Sequence, residues 1–122
     1  MSVPRNDIQE LDLSVGASIA ADFVTIEHDV RFFDMGSCQF IWSGANATTA
    51  QIIPQASLDK VNWCNLASGT TIKKVDAASG CQLYTFPTIE FTWFRVKFVA
   101  NTNSAGVATV KTCMKRRRSP SV

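Results

Sequence analysis

Hydrophobic and polar positions alternate along most of this chain, and the alternation has a period of two. In Ile8–Val15, Leu11, Leu13 and Val15 alternate with Asp12 and Ser14, which lines one face of a pleated strand, and Gly16 is expected to end it. From Phe23 to Phe33 a second stretch sets Ile26, His28, Val30 and Phe32 on one parity against Thr25, Glu27, Asp29 and Arg31 on the other. This reads as one long strand, or as two joined by a bulge. Cys38, Phe40 and Trp42 alternate within 37–42, and Ser43-Gly44-Ala45-Asn46 supplies turn material before 51–57, where Pro54 marks an edge strand or a bulge. Leu58 to Asn62 reads as a turn that presents Trp63.

Shorter stretches follow at 70–75 and 81–86, bounded by Gly, Ser or Pro. The final pattern is the clearest. Phe94, Val96 and Phe98 point one way and Arg95 and Lys97 the other; after the turn material of 101–106, Val107 to Lys111 returns. The spacing predicts a β-hairpin. With about seven to nine strands and no stretch of period 3.6, the expected fold is all-β: a single antiparallel β-sandwich or jelly-roll domain, with a closed barrel as the alternative.

A length of 122 residues fits one domain, and 46% hydrophobic residues is ample for a core. The expected organisation is an N-terminal arm with the first strand over 1–20, the sandwich over 21–114, and a basic C-terminal tail over 115–122. No apolar run reaches the ~18 residues a membrane helix requires, and the N-terminus carries no signal-peptide pattern, so synthesis in the cytoplasm is expected. Charge is polarised. Residues 1–35 hold two basic and seven acidic side chains, the rest ten basic and three acidic. Such a chain either folds its first strands onto its later ones or meets copies of itself head to neighbour.

Catalytic chemistry finds little to work with. His28 is the single histidine and falls on the inward parity, where a satisfied core or sheet-face histidine outweighs a general base. No phosphate-cradling glycine motif and no calcium-loop spacing occurs, and Cys38, Cys64, Cys81 and Cys113 lack the CxxC spacing of a zinc site. The cysteines read as small buried or half-buried hydrophobes, with a disulfide left open. No enzyme activity, cofactor or metal is expected. The tail Lys115, Arg116, Arg117 and Arg118 could neutralise phosphates, yet it reads at least as well as a solvated arm docking on an acidic neighbour, so nucleic acid is the weaker reading. Trp63 and Tyr84 would be the exposed aromatics of a glycan- or receptor-binding module, set against a core role for most rings.

The segment Gln55-Ala56-Ser57-Leu58-Asp59-Lys60-Val61-Asn62-Trp63, then Phe94-Arg95-Val96-Lys97 and a last strand opened by Ser104-Ala105-Gly106, resembles a pattern of small β-sandwich virion proteins of tailed bacteriophages. In that pattern an S-x-D-G-x-x-W turn precedes a closing hairpin. The match spans about residues 38–112 and departs from the pattern at Lys60, where glycine is usual. The resemblance implies a virion structural protein, foremost a head decoration or cement protein that stabilises the outer shell, with a neck, tail or fibre component as the alternative. It further implies the major capsid protein as partner and a homotrimer as assembly. An arm over residues 2–20, carrying Pro4, Asp7, Glu10, Leu11, Asp12 and Leu13, would then add a strand to a neighbour's sheet edge.

Overall fold

The computed structural model describes residues 7–66 and 73–116, and every regular element in them is a strand. In chain order these are β1 (Asp7–Ser18), β2 (Phe23–Val24), β3 (His28–Asp29), β4 (Met35–Ser43), β5 (Gln51–Ser57), β6 (Cys64–Asn65), β7 (Lys73–Lys74), β8 (Gly80–Phe86), β9 (Trp93–Val99) and β10 (Val107–Arg116). They form two antiparallel sheets. One runs β1-β10-β4-β8; the other runs β2-β9-β5-β6, with β3 also on β9 and β7 also on β5.

The short strands pair off as interrupted single strands. β2 and β3 both lie against β9, at Phe98–Lys97 and Phe94–Trp93, while β6 and β7 both lie against β5, at its two ends. Counting each broken pair once gives eight strand positions in the orders 1-8-3-6 and 2-7-4-5. That is the jelly-roll order, in which successive strands mostly cross from one sheet to the other. The choice between a simple sandwich and a jelly roll is thereby decided for the latter.

This topology overturns the expected closing hairpin. β9 pairs with β2, β3 and β5, whereas β10 pairs with β1 and β4 in the opposite sheet. Alternation reports which face a residue occupies but not which strand lies beside it, so the inward set Phe94, Val96 and Phe98 was legible while its partner was not. The connection crosses the sandwich around buried Asn103, whose amide donates to the carbonyls of Ile19 and Ala105. Between β5 and β6, by contrast, Leu58–Trp63 closes a true hairpin within one sheet.

Three further expectations change. Gly16 lies inside β1 at φ +62, within the register shift between Ser14 and Ala17, so it makes a bulge and the strand continues to Ser18. The 23–33 run breaks because Thr25 inserts its hydroxyl as acceptor for the Val96 amide and the Ile26 amide bonds to Leu13 of the other sheet. His28 and Val30 are consequently buried while Ile26 and Phe32 stand 55% and 68% exposed. Pro54 lies on an inner strand, not an edge. Its carbonyl accepts the Leu66 amide, so its ring nitrogen faces the same side, across the gap between two-residue β6 and β7, and no ladder bond to β9 is lost.

The core is aromatic at its centre. Phe40 of one sheet stacks on Phe98 of the other at 5.8 Å between centroids, and Phe23 stacks on Phe98 at 5.4 Å. Trp42 fills the neighbouring layer, its indole N–H donating to the Ala77 carbonyl, and Gly80 is required beside it because a Cβ there would meet the indole at 2.5 Å. β1 contributes buried Leu13 and pairs with β10 along its length, from Asp7↔Arg116 to Ser18↔Val107. Residues 7–18 are therefore the first strand expected within 1–20, an edge strand of the chain's own sheet, and that sheet runs on past residue 114 to Arg116. Lys115 and Arg116 belong to β10 for the same reason.

Candidate interaction surface

The outer face of the second sheet carries the most organised side chains. Its construction starts at the β5–β6 turn. The Ser57 hydroxyl accepts the amides of Asp59 and Lys60, and Asp59 Oδ1 accepts those of Val61 and Asn62, while the Asn62 side chain donates to Asp59 Oδ2 at 2.7 Å. These donors hold the Asp59 carboxyl well below the usual carboxylate range, the backbone bond from Asn62 contributing most. Lys60 takes φ +64, the left-handed region, which is the physical reason glycine is usual at that place in the resembled pattern.

The turn aims cations and indoles at one another. Lys60 Nζ sits 4.4 Å from the centre of the Trp93 ring, with the Arg31 guanidinium 5.5 Å from the same ring. The Arg95 guanidinium lies 4.2 Å over the Trp63 ring. Beneath this, buried Gln55 accepts from Arg95 Nε at 2.8 Å and donates to the Asn65 side chain at 3.0 Å, so a relay runs from β6 through β5 to β9 and fixes the guanidinium plane. Arg31 is neutralised by Asp29, at 2.9 Å. Lys60, Arg95 and Lys97 have no ion pair among the described residues.

The expected aromatic platform does not exist as a pair. Trp63 is half-buried on the second sheet. Tyr84 sits on the first, 7% exposed, its hydroxyl 3.5 Å from the Ile52 carbonyl and its acidity suppressed by burial. Tyr84 is a core residue because its parity on β8 matches Cys38 on β4, an inward position. Glu10 and Asp12 are exposed on the outer face of the first sheet, where Asp12 stands opposite Lys111, while Leu11 is half-buried and Leu13 fully so. Pro4, Arg117 and Arg118 lie outside the described residues, as does the side chain of Asp7.

His28 is buried and held on both ring nitrogens, Nδ1 2.9 Å from the Thr112 hydroxyl and Nε2 2.8 Å from Gln9 Oε1. Burial lowers its pKa, and nearby Asp29 opposes that in part. The cysteines depart from the expected burial. Cys38 is buried, with its thiol pushed up to about 12 by desolvation, and Cys113 is half-exposed, but Cys64 and Cys81 are exposed; all four are free thiols. Among the described residues no three His, Cys, Asp or Glu side chains gather as a metal site. The residues that sequence reasoning missed are Gln55 and Asn65, the two amides beneath Arg95. Outward parity had already placed Arg95 and Lys97 on this face; the cross-strand register that sets Gln55 beneath Arg95 leaves no trace in periodicity.

No protein-family model matches this chain, and no curated protein matches it in sequence. Solved structures do match in shape. The SPBc2 prophage-derived protein YomS superposes with a TM-score of 0.60 at 16% identity, over 94% of this chain and 98% of that one. A chain from the structure of infectious bursal disease virus, Gx strain, superposes with a TM-score of 0.56 at 7% identity, over 96% of this chain. The present chain spans only 33% of that viral chain. At such identities the likeness is one of fold: an all-β sandwich of jelly-roll order, of the kind found in a prophage-derived protein and in a virus structure.

Proposed function

We propose that this protein is a non-enzymatic structural component of a bacteriophage virion, foremost a decoration or cement protein that binds the outer head shell and stabilises it. The observation that carries the reading is the jelly-roll strand order, together with its likeness to a whole prophage-derived protein and to part of a viral chain. The buried, doubly bonded state of His28 and the engagement of Asp59 by its own turn support a role in binding over one in chemistry, since both groups are committed to holding the fold. In this reading the rigid domain docks on the major capsid protein, with a homotrimer as the assembling unit. Stabilisation follows from mass action: a protein that binds the mature shell and not the immature one makes shell expansion harder to reverse.

Glycan binding has less support. A sugar ring stacks on a free indole face, and the rings of Trp63 and Trp93 already carry the cations of Arg95 and Lys60. The deciding experiment is quantitative mass spectrometry of purified virions, scaled to the major shell protein. Hundreds of copies per particle are expected. A count of a dozen or fewer would move the protein to the neck, tail or fibre, and its absence would end the virion reading.

A further inference from the structure

β8 is an edge strand without the devices that keep sheet edges apart. Free N–H and C=O groups on an edge pair with any strand that reaches them unless the edge is short, charged, bulged or broken by proline. The other described edges are protected in these ways. β1 has two register shifts and exposed Glu10 and Asp12, and the second sheet ends in the two-residue strands β2, β3, β6 and β7. β8 has seven residues in unbroken register with β4, from Gly36↔Phe86 to Trp42↔Gly80, and neither charge nor proline among them.

Its main-chain groups are set for a further strand. Bonding sides alternate along a strand. The Ile19 amide on the Gly106 carbonyl and the Asp34 amide on the Lys115 carbonyl turn the even residues of β10 towards β1 and the odd ones towards β4. Carried across the β10–β4 and β4–β8 registers, this turns Gly80, Gln82, Tyr84 and Phe86 towards β4 and Cys81, Leu83 and Thr85 towards the open side. The Leu83 carbonyl accordingly takes only the neighbouring Gln82 side-chain amide, at 3.4 Å, and no strand lies beyond β8 among the described residues. The side chains there are uncharged as well: Leu83 is 57% and Ile41 37% exposed, with Gln39, Cys81 and Thr85 on the same outer face. A charged strand would lose hydration against this strip and find no counter-charge. An identical strand loses none. With a two-fold axis through Leu83, two antiparallel β8 strands overlap fully; Leu83 falls opposite the partner's Leu83 and Cys81 opposite the partner's Thr85, each pair exchanging both its bonds.

We infer that the protein pairs with a second copy of itself edge to edge through β8, which joins the β1-β10-β4-β8 sheets of two protomers into one continuous sheet. The contact is isologous, so it is separate from the three-fold contact that a homotrimer uses and doubles whichever unit carries it. It does not rest on the virion reading, and its test is made on the isolated protein.

The test is sedimentation equilibrium on the full chain, taken up to about 1 mM protein to reach weak specific affinities. Wild type is expected at twice the mass of Leu83→Lys, which opposes two cations across the axis and leaves the ladder to β4 intact. The ratio should be the same at about 0.02 M and about 0.5 M salt, because no ion pair takes part. Position is read separately, by Thr85→Cys in a Cys64→Ser background. Facing Cα atoms of a hydrogen-bonded pair lie about 5.5 Å apart, within disulfide reach. The oxidant diamide should therefore link the introduced thiol to the partner's Cys81, as peptide mapping would show. Circular dichroism melts check the fold of each variant, and the cross-link decides alone if Leu83→Lys does not fold. Equal masses for wild type and a folded Leu83→Lys, dissociation of wild type by salt, or the absence of that link would each overturn the inference.

Discussion

At the scale of single residues, backbone conformation and burial make sharper demands than side-chain identity reveals. Lys60 occupies a left-handed conformation that costs an L side chain about 1 kcal/mol, and it recovers part of that through the Trp93 ring. Comparing Lys60→Gly with Lys60→Ala separates the two effects, since both lose the cation and only glycine relieves the backbone. Lys60→Gly is expected to be more stable than Lys60→Ala by about 1 kcal/mol in denaturant unfolding. Equal stabilities would mean that the turn's hydrogen bonds, not the φ preference, set its energy. The cysteines offer a second test at this scale. Exposed Cys64 and Cys81 should react with a thiol reagent in the native protein, whereas Cys38, buried and with its thiol pushed up to about 12, should be labelled only as the protein unfolds. Native labelling of Cys38 would contradict the packing of β4 against Tyr84.

At the scale of elements, β3 is the case in which two sheets share one residue. His28 belongs to β3 on the second sheet but bonds to Gln9 of β1 and Thr112 of β10 on the first, so it stitches the sandwich closed along one seam. Its folded pKa is lowered, chiefly by burial, so the neutral ring is the form that folding favours. The stabilisation is therefore complete above the unfolded value of about 6.5 and is lost as pH falls from there through the folded pKa. Thermal melts should show a lower Tm at pH 5.5 than at pH 7.5, and His28→Gln should be less stable at pH 7.5 while losing that part of the pH dependence. A wild-type Tm that rises on acidification through this window would contradict the assignment. The sequence made the inward parity of His28 visible, because Val30 shares it, but not the break in β2–β3. That break depends on Thr25 bonding to Val96, a residue 71 positions away.

At the scale of the whole molecule, what could be read in advance was local and what could not was non-local. Faces follow from a period of two, so Phe40, Trp42, Phe94, Val96 and Phe98 were placed in the core correctly. Strand partners follow from topology, so β9 and β10 read as a hairpin they do not form, and β1, the strand expected within 1–20, gives no sign that β10 is its partner. That pairing is also the most testable. If residues up to 18 were an arm, removing them would leave a stable sandwich; as the structure stands, their removal takes Leu13 from the core and strips the ladder of β10 from Val107 to Arg116. Loss of one buried leucine alone costs about 2–5 kcal/mol, a large fraction of the roughly 5–15 kcal/mol that holds a domain folded, and the exposed β10 would become a new edge open to aggregation. The protein lacking residues 1–18 is accordingly expected to be insoluble or to melt without a cooperative transition in calorimetry. A soluble truncated protein with a Tm within a few degrees of wild type would restore the arm and require the β1–β10 pairing to be dispensable.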